Sequence, residues 1–303
     1  MNVIVTGGVG FVGTNLIKKL VEDGHKVVSL DNYSTGDAKN QVDGCKYFNV
    51  DVCSVIDYSF FQEKTDVIYH MAALARIQPS IEKPHPTIVN NFLSTLNVLE
   101  YARNNNIRVV YAGSSSIHHG IYESPYAWSK FSGEDLCKLY SNVYKVETSI
   151  CRFYNVYGDY QIKEGTYATV LGIFQNQYEN EEPLTIVGDG EQRRDFTHVD
   201  DIVDGIIRSS EQEFYGEIFE LGRGVNHSIN EVASMFDIDG VSEGFGTEYP
   251  KEYIEQRPGE YDVTLADYSH AEKLLGWKPI KNLKDYMEDY ISETNTDGTM
   301  GME

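Results

Sequence analysis

The chain has 303 residues, 41% hydrophobic and 12% aromatic, which suits one large α/β domain with a smaller lobe and exceeds a single small module. Its net charge of −22 excludes nucleic-acid binding through a basic surface and requires local positive features to capture any phosphate-bearing ligand. No run of about 18 apolar residues offers a membrane span, and no basic stretch, apolar segment and cleavage site open the chain, so no membrane partner and a cytoplasmic protein are expected.

The first half alternates β-rich runs with helical patterns. Residues 3–5, 26–30, 46–50, 66–70, 108–112 and 148–153 read as strands. They are apolar runs rather than alternating ones, as a parallel sheet covered on both faces requires. A helix is predicted over 87–104, with Val89, Phe92, Leu93, Leu96 and Leu99 at helical spacing, and another over 126–144. This alternation implies right-handed crossovers and a doubly wound parallel sheet of the Rossmann type. After about Gly158 the rhythm loosens, with turn-rich pieces such as Gly188-Asp189-Gly190 and Arg257-Pro258-Gly259-Glu260. The expected division is a sheet domain over 1–158, a smaller substrate lobe over 159–291 whose chain crosses back to the sheet, and a polar, flexible tail over 292–303. Cys45, Cys53, Cys137 and Cys151 show no CxxC and no metal-ligand spacing, so reduced thiols and no metal site are expected.

The strongest local signal is Thr6-Gly7-Gly8-Val9-Gly10-Phe11-Val12-Gly13, directly after a strand and opening a helix. Gly7 permits a tight turn, Gly10 lets backbone approach a pyrophosphate, and Gly13 permits close packing of helix on strand. The helix N-terminus adds free N–H groups and partial positive charge, which a strongly acidic chain needs to bind phosphate. Asp31 ends the second strand, near the spacing of about 20 residues at which a carboxylate accepts from a ribose diol and repels a 2′-phosphate. NAD is therefore favoured over NADP. Asp51-Val52 closes the next strand and suits an adenine edge. His70-Met71-Ala72-Ala73 closes the fourth, where small residues let backbone pass close to a ligand.

Tyr126 and Lys130, in Tyr126-Ala127-Trp128-Ser129-Lys130, share one helical face, and Ser115 follows the strand 108–112. Together they form a Ser/Tyr/Lys set. A lysine ammonium and a positive nicotinamide ring both favour the phenolate, so the Tyr126 pKa is expected to fall.

With these motifs in hand, the sequence resembles the extended short-chain dehydrogenases/reductases, in their nucleotide-sugar epimerase/dehydratase group. The likeness runs through TGGVGFVG, DNYSTG, HMAA, YAWSK, RFYNVYG, GDGEQRRDFTHVDD, RPGE and LLGWKP, in that order and over nearly the whole chain. It implies Tyr126 as catalytic base, Lys130 as its ribose-holding partner and Ser115 as the hydroxyl on the reacting oxygen. It implies further cofactor contacts at Phe11, Val12, Asn32, Ser34, Thr35, Gly36, Ala75, Asn91, Ser114 and Tyr154. For the sugar nucleotide it implies Asn155, Val187, Arg194, Arg257 and Glu260, the arginines holding the diphosphate. Helices 87–104 and 126–144 are expected to pair with a second copy as a four-helix bundle.

Members of this group share oxidation at sugar C4 and differ in the fate of the 4-keto sugar. Dehydratases resemble one another in an Asp-Glu pair after the catalytic hydroxyl residue, and decarboxylases have a Glu there; this chain has Ser116-Ile117. Epimerase/reductases of the fucose-synthase type use a Cys and a His, where this chain has Ile117 and, roughly, Thr169. The resemblance thus favours a 4-epimerase of a UDP-hexose or UDP-N-acetylhexosamine. Another modifying reaction, or an NAD- or sugar-nucleotide-binding protein without activity, stays as the alternative. Thr264 aligns with a position that limits bulk at C2 and is small enough for an N-acetylated sugar. The segment between Ser115 and Tyr126 is short for the group, with His118-His119-Gly120 in place of Val-Tyr-Gly; the two histidines are expected as loop residues, partly exposed.

Overall fold

The computed structural model describes residues 1–54, 64–237, 248–256, 259 and 261–298. The first half supplies strands β1 (Asn2–Thr6), β2 (Lys26–Asp31), β3 (Cys45–Asn49), β4 (Val67–His70), β5 (Arg108–Ser114) and β6 (Thr148–Phe153). Between them lie helices α1 (Phe11–Glu22), α2 (Ile77–Glu82), α3 (Pro84–Asn105) and α4 (Pro125–Tyr144). The second half contributes β7 (Val156–Tyr157), α5 (Val170–Glu179), β8 (Leu184–Val187), β9 (Arg193–Asp195), β10 (Thr197–His198) and α6 (Val199–Arg208). It continues with β11 (Tyr215–Leu221), β12 (Asn226–Ser228), α7 (Ile229–Ser234), β13 (Lys251–Ile254), α8 (Ser269–Leu275) and α9 (Leu283–Gly298).

Seven strands form one parallel sheet in the order β11-β6-β5-β4-β1-β2-β3. Successive side chains go to opposite layers. Val3, Val5, Val67 and Tyr69 join α1, α6 and α8 in one core, which Trp277 closes. Ile4, Ile68, Val109 and Tyr111 join α3 and α4 in the other. Both faces are covered, so the strands carry continuous apolar runs. β1 sits centrally, Thr6 opposite Leu30 and His70, so the carboxyl ends of β1, β2 and β4 open on one edge.

The crossing back to the sheet expected in the second half is β11, paired with β6. It is accompanied by α6 and α8, whose Val199, Ile202, Ala271 and Leu275 bury in the sheet core. The lobe has its own core of Tyr157, Leu171, Phe174, Ile186, Phe236 and Met287, among others. Helix α9 runs to Gly298, so it enters the segment 292–303 expected as a tail. Leu283, Met287 and Ile291 recur at every fourth residue and bury together in the lobe core, which carries the helix forward.

In α3, the face turned to the sheet is largely polar. Asn91, Ser94 and Thr95 are buried there with Val98, Leu99 and Ala102. The apolar stripe prominent in the sequence stands further out: Leu93 is 36% exposed, and Phe92 and Leu96 are half-buried. Burying the polar groups costs little where each finds a partner. Thr95 and Thr6 hydrogen-bond the two nitrogens of His70 at 3.1 and 2.7 Å. None of the described helices is long and apolar enough to cross a membrane, and no described group of His, Cys, Asp and Glu fits a metal ion.

Candidate active site

The glycine-rich turn takes the form its sequence requires. Gly7 has φ +73°, and a Cβ on it would lie 2.8 Å from the Ala72 backbone. A Cβ on Gly13 would lie 2.1 Å from the Gly7 carbonyl, so only glycine lets α1 sit down on β1. Gly10 is the N-cap of α1 and Phe11 and Val12 begin the helix, so their N–H groups face outward from its N-terminus.

A cleft opens over this turn. Gly7, Gly10, Asp31, Asn32, Ser34, Thr35, Gly36 and Val52 line it with Met71, Ala72 and Ala73, and so do Leu74 and Asn90. The Asp31 carboxylate lies on its wall, accepting from the Val9 N–H at 3.1 Å and the Tyr33 N–H at 2.8 Å. Each oxygen keeps a second lone pair for a ligand hydroxyl. A helix N-terminus for a pyrophosphate, a fixed carboxylate for a ribose and a floor that only glycine and alanine leave open are what a dinucleotide needs. Asp51 accepts from the Cys53 N–H at 2.9 Å and holds the turn that brings Val52 to the cleft.

Asn91, the asparagine expected in the cofactor loop, is bonded within the protein. Asn91 is 2% exposed, accepts from the Leu74 N–H at 2.8 Å, and donates to the Leu74 carbonyl at 3.2 Å and to Ser129 Oγ at 2.9 Å. It pins the loop after β4 to α4, and its neighbour Asn90 lines the cleft instead. Ala75 lies in that pinned loop, its carbonyl accepting from Arg76 Nη1 at 3.1 Å.

Tyr126 and Lys130 stand in the first turns of α4. Ser124 caps the helix, accepting from the Ala127 N–H at 3.1 Å, and Pro125 occupies the first turn, where its missing N–H costs nothing. The Tyr126 N–H donates to Ser80 Oγ of α2 at 3.2 Å. Lys130 is 4% exposed and donates to the Ala112 carbonyl at 2.9 Å, with its ammonium 5.1 Å from the centre of the Tyr111 ring. Burial pulls Lys130 down to about 8, against the charge of Glu134 one turn along.

Ser114 ends β5, bonded to Ser116 Oγ at 3.0 Å, while Ser115, the hydroxyl expected on the reacting oxygen, opens a 3-10 turn, Ser115–His119, and is 9% exposed. One expectation needs correction here: the Tyr126 pKa does not fall in the protein alone. Burial raises it, opposed by Ser114 and by the Arg76 guanidinium; Lys130 directs its charge to the Ala112 carbonyl.

Asn155 and Thr264, expected near the substrate, gather at Asp195, which sequence reasoning passed over. Fully buried, it accepts from the N–H groups of Arg223 at 2.8 Å, Gly224 at 2.9 Å and Ala266 at 3.0 Å, tying three segments together. Asn155 donates to the Asp195 carbonyl at 3.1 Å and to Thr264 Oγ1 at 3.2 Å, so its amide hydrogens are committed to the lobe. Thr264 Oγ1 also accepts from the Asp195 N–H at 2.9 Å. Arg194 is 7% exposed, with its guanidinium 5.8 Å from the centre of the Tyr261 ring. Val187 ends β8, its carbonyl accepting from Gln192 at 2.8 Å. Arg257 and Glu260 lie outside the described residues.

A second missed feature is the charged chain behind Lys130. Arg152 makes a fork to the fully buried Glu134 at 3.0 and 2.7 Å and reaches Glu220 at 2.7 Å. Tyr154, expected at the cofactor, gives its hydroxyl to the same Glu220 at 2.8 Å. His118 is exposed as expected, yet bonds Glu220 at 2.9 Å. His119 is half-buried and stacks on Tyr261 with ring centres 4.0 Å apart; burial, then Arg194 and His118, pull its pKa down. Only the arginine in RFYNVYG hinted at this chain, because its two acidic partners lie far from it in sequence.

Comparison with known proteins agrees with this geometry. The profile of the NAD dependent epimerase/dehydratase family matches residues 3–222. A putative UDP-glucose 4-epimerase of Methanocaldococcus jannaschii is 34% identical, over 96% of this chain and 97% of its own. A UDP-N-acetyl-alpha-D-glucosaminuronate decarboxylase of Bacillus cytotoxicus is 31% identical, over 76% and 77%. The crystal structure of a UDP-glucose 4-epimerase from Thermotoga maritima, with UDP-glucose, superposes with a TM-score of 0.87 at 26% identity, covering 97% of this chain and 99% of that one. The chain belongs to the NAD-dependent epimerase/dehydratase family, enzymes of nucleotide sugars with the extended short-chain dehydrogenase/reductase fold, and its cofactor is NAD.

Proposed function

We propose that the protein is a nucleotide-sugar 4-epimerase acting on a UDP-hexose or UDP-N-acetylhexosamine. The observation that carries this reading is the turn after β5. Where a dehydratase or decarboxylase would need a second acid or base, the chain has the half-buried Ile117, which cannot move a proton. Tyr126, one helical turn before Lys130 on α4, is a base for one hydroxyl and needs no further partner for epimerisation.

NAD, when bound, would supply a reversible hydride acceptor. The chain's own residues do the rest. Gly7, Gly10 and the start of α1 hold the pyrophosphate, and Asp31 holds the adenosine ribose. Lys130 would hold the second ribose. Tyr126 takes the proton of the C4 hydroxyl and later gives it back, with Ser115 as the hydroxyl on the reacting oxygen. Arg194 takes the substrate diphosphate, and its burial strengthens that charge-assisted contact.

The same reading includes a homodimer. Leu93, Leu139, Val143 and Tyr144 stand exposed on α3 and α4, whose packing against each other leaves this outer face for a second copy. Four unpaired cysteines suit a reducing compartment such as the cytoplasm.

A screen of UDP-linked sugars, with products separated by chromatography, tests the proposal. The C4 epimer of one substrate is the expected product. Release of water or carbon dioxide, or no turnover of any sugar, contradicts it.

A further inference from the structure

The histidine that ends the turn after β5 reaches the substrate lobe. His119 closes the 3-10 turn Ser115–His119, whose first residue is the hydroxyl expected on the reacting oxygen. Gly120 follows with φ +111°, a conformation that glycine adopts without strain, and its N–H donates to the Ile117 carbonyl at 3.4 Å. The backbone turns there, and the His119 ring stacks on Tyr261 with centres 4.0 Å apart and planes at 18°.

Tyr261 is in turn set beside β9. The Arg193 N–H donates to the Asp262 carbonyl at 2.7 Å, and the Thr264 N–H donates to the Arg193 carbonyl at 3.0 Å, so residues 262–264 run alongside Arg193. The next residue of β9 is Arg194. Its Nη1 donates to the Arg193 carbonyl at 3.0 Å, and its guanidinium lies 5.8 Å from the centre of the Tyr261 ring. A guanidinium at that distance is attracted by the ring and loses freedom there. One phenol ring is therefore shared by the turn after β5 and by the arginine read as the diphosphate ligand.

An imidazole suits this place. Burial, then Arg194 and His118, hold His119 below its ordinary value, so above about pH 6.5 the ring is neutral. It stacks on the phenol without adding a second cation that would repel the guanidinium. Its neighbour His118 is engaged elsewhere, with Glu220 at 2.9 Å.

We propose that His119 is a positioning residue for the substrate diphosphate: stacked on Tyr261, it holds the ring beside which Arg194 is set, and so ties the phosphate-binding arginine of the lobe to the turn that carries Ser115. This rests on Arg194 as the diphosphate ligand.

The test is calorimetric binding of UDP to the NAD-saturated protein. His119→Ala is expected to weaken UDP about three- to tenfold, the range of one aromatic contact, and to leave NAD affinity unchanged. His119→Phe keeps a flat neutral ring and is expected to restore the wild-type affinity. Tyr261→Leu removes the same stack from the lobe side and serves if His119→Ala does not fold. With Arg194→Gln already in place, His119→Ala is expected to add nothing, because the histidine acts through the arginine. Unchanged UDP affinity in His119→Ala and Tyr261→Leu beside a loss in Arg194→Gln would overturn the proposal and leave Arg194 at the diphosphate. So would a loss from His119→Ala that persists in the Arg194→Gln background. An Arg194→Gln variant that binds UDP as the wild type does would overturn the reading of Arg194 itself, and the proposal with it.

Discussion

At the scale of the residue, the site separates groups that act from groups that hold them. Tyr126→Phe removes the proton acceptor and keeps the ring, so NAD affinity is expected to survive while turnover falls at least about 10²-fold, the low end for a positioned general base. Steady-state kinetics beside calorimetric NAD binding check this, and near-normal turnover would remove Tyr126 from the mechanism. Asp31 carries cofactor choice. Asp31→Asn keeps an acceptor for the Val9 N–H and removes the charge facing a 2′-phosphate, so the preference for NAD over NADP is expected to narrow at least about tenfold, or about 1.4 kcal/mol. An unchanged ratio of dissociation constants would place the discrimination elsewhere. The sequence exposed the parts of the site that are short-range: a glycine at φ +73°, a carboxylate at a strand end, a Tyr and a Lys one helical turn apart. It hid Asp195, because its partners Arg223, Gly224 and Ala266 are distant in the chain.

At the scale of the element, the strands of the first half were legible because two-sided burial writes itself as continuous apolar runs. β11 was expected only as an unspecified crossing, since Glu217 and Glu220 interrupt the apolar residues of Tyr215–Leu221. Helix α3 shows where periodicity misleads. Its buried face is chosen by hydrogen bonding to His70 and Leu74, while part of its apolar stripe is left outside. Together with the exposed Leu139 and Val143, one turn apart on α4, that stripe favours assembly. A double Leu139→Asp, Val143→Asp variant is expected to be monomeric by light scattering at micromolar concentration, with an unchanged circular dichroism spectrum, where the wild type is a dimer. A monomeric wild type would contradict this.

At the scale of the whole molecule, stability is set against a net charge of −22 and two buried neutral histidines. Burial brings His70 to about 3 and His198 to about 4. Below their ordinary value near 6.5, the unfolded chain binds protons at these sites that the folded chain refuses. Stability should therefore fall with falling pH from about 6.5 toward 4, by about 1.4 kcal/mol per unit for each histidine. Urea unfolding at pH 7, 6 and 5, in salt high enough to screen surface repulsion, reads this, and His70→Gln should flatten the slope by about one histidine's share. A slope unaltered by His70→Gln would mean that the ring is protonated in the fold. The central claim, that this protein inverts C4 of a nucleotide sugar and returns its cofactor unchanged, is tested most directly with a UDP-sugar deuterated at C4. The account predicts that the epimerised product keeps the deuterium and that no NADH accumulates. Loss of the label to solvent, or NADH formed in proportion to product, would contradict it.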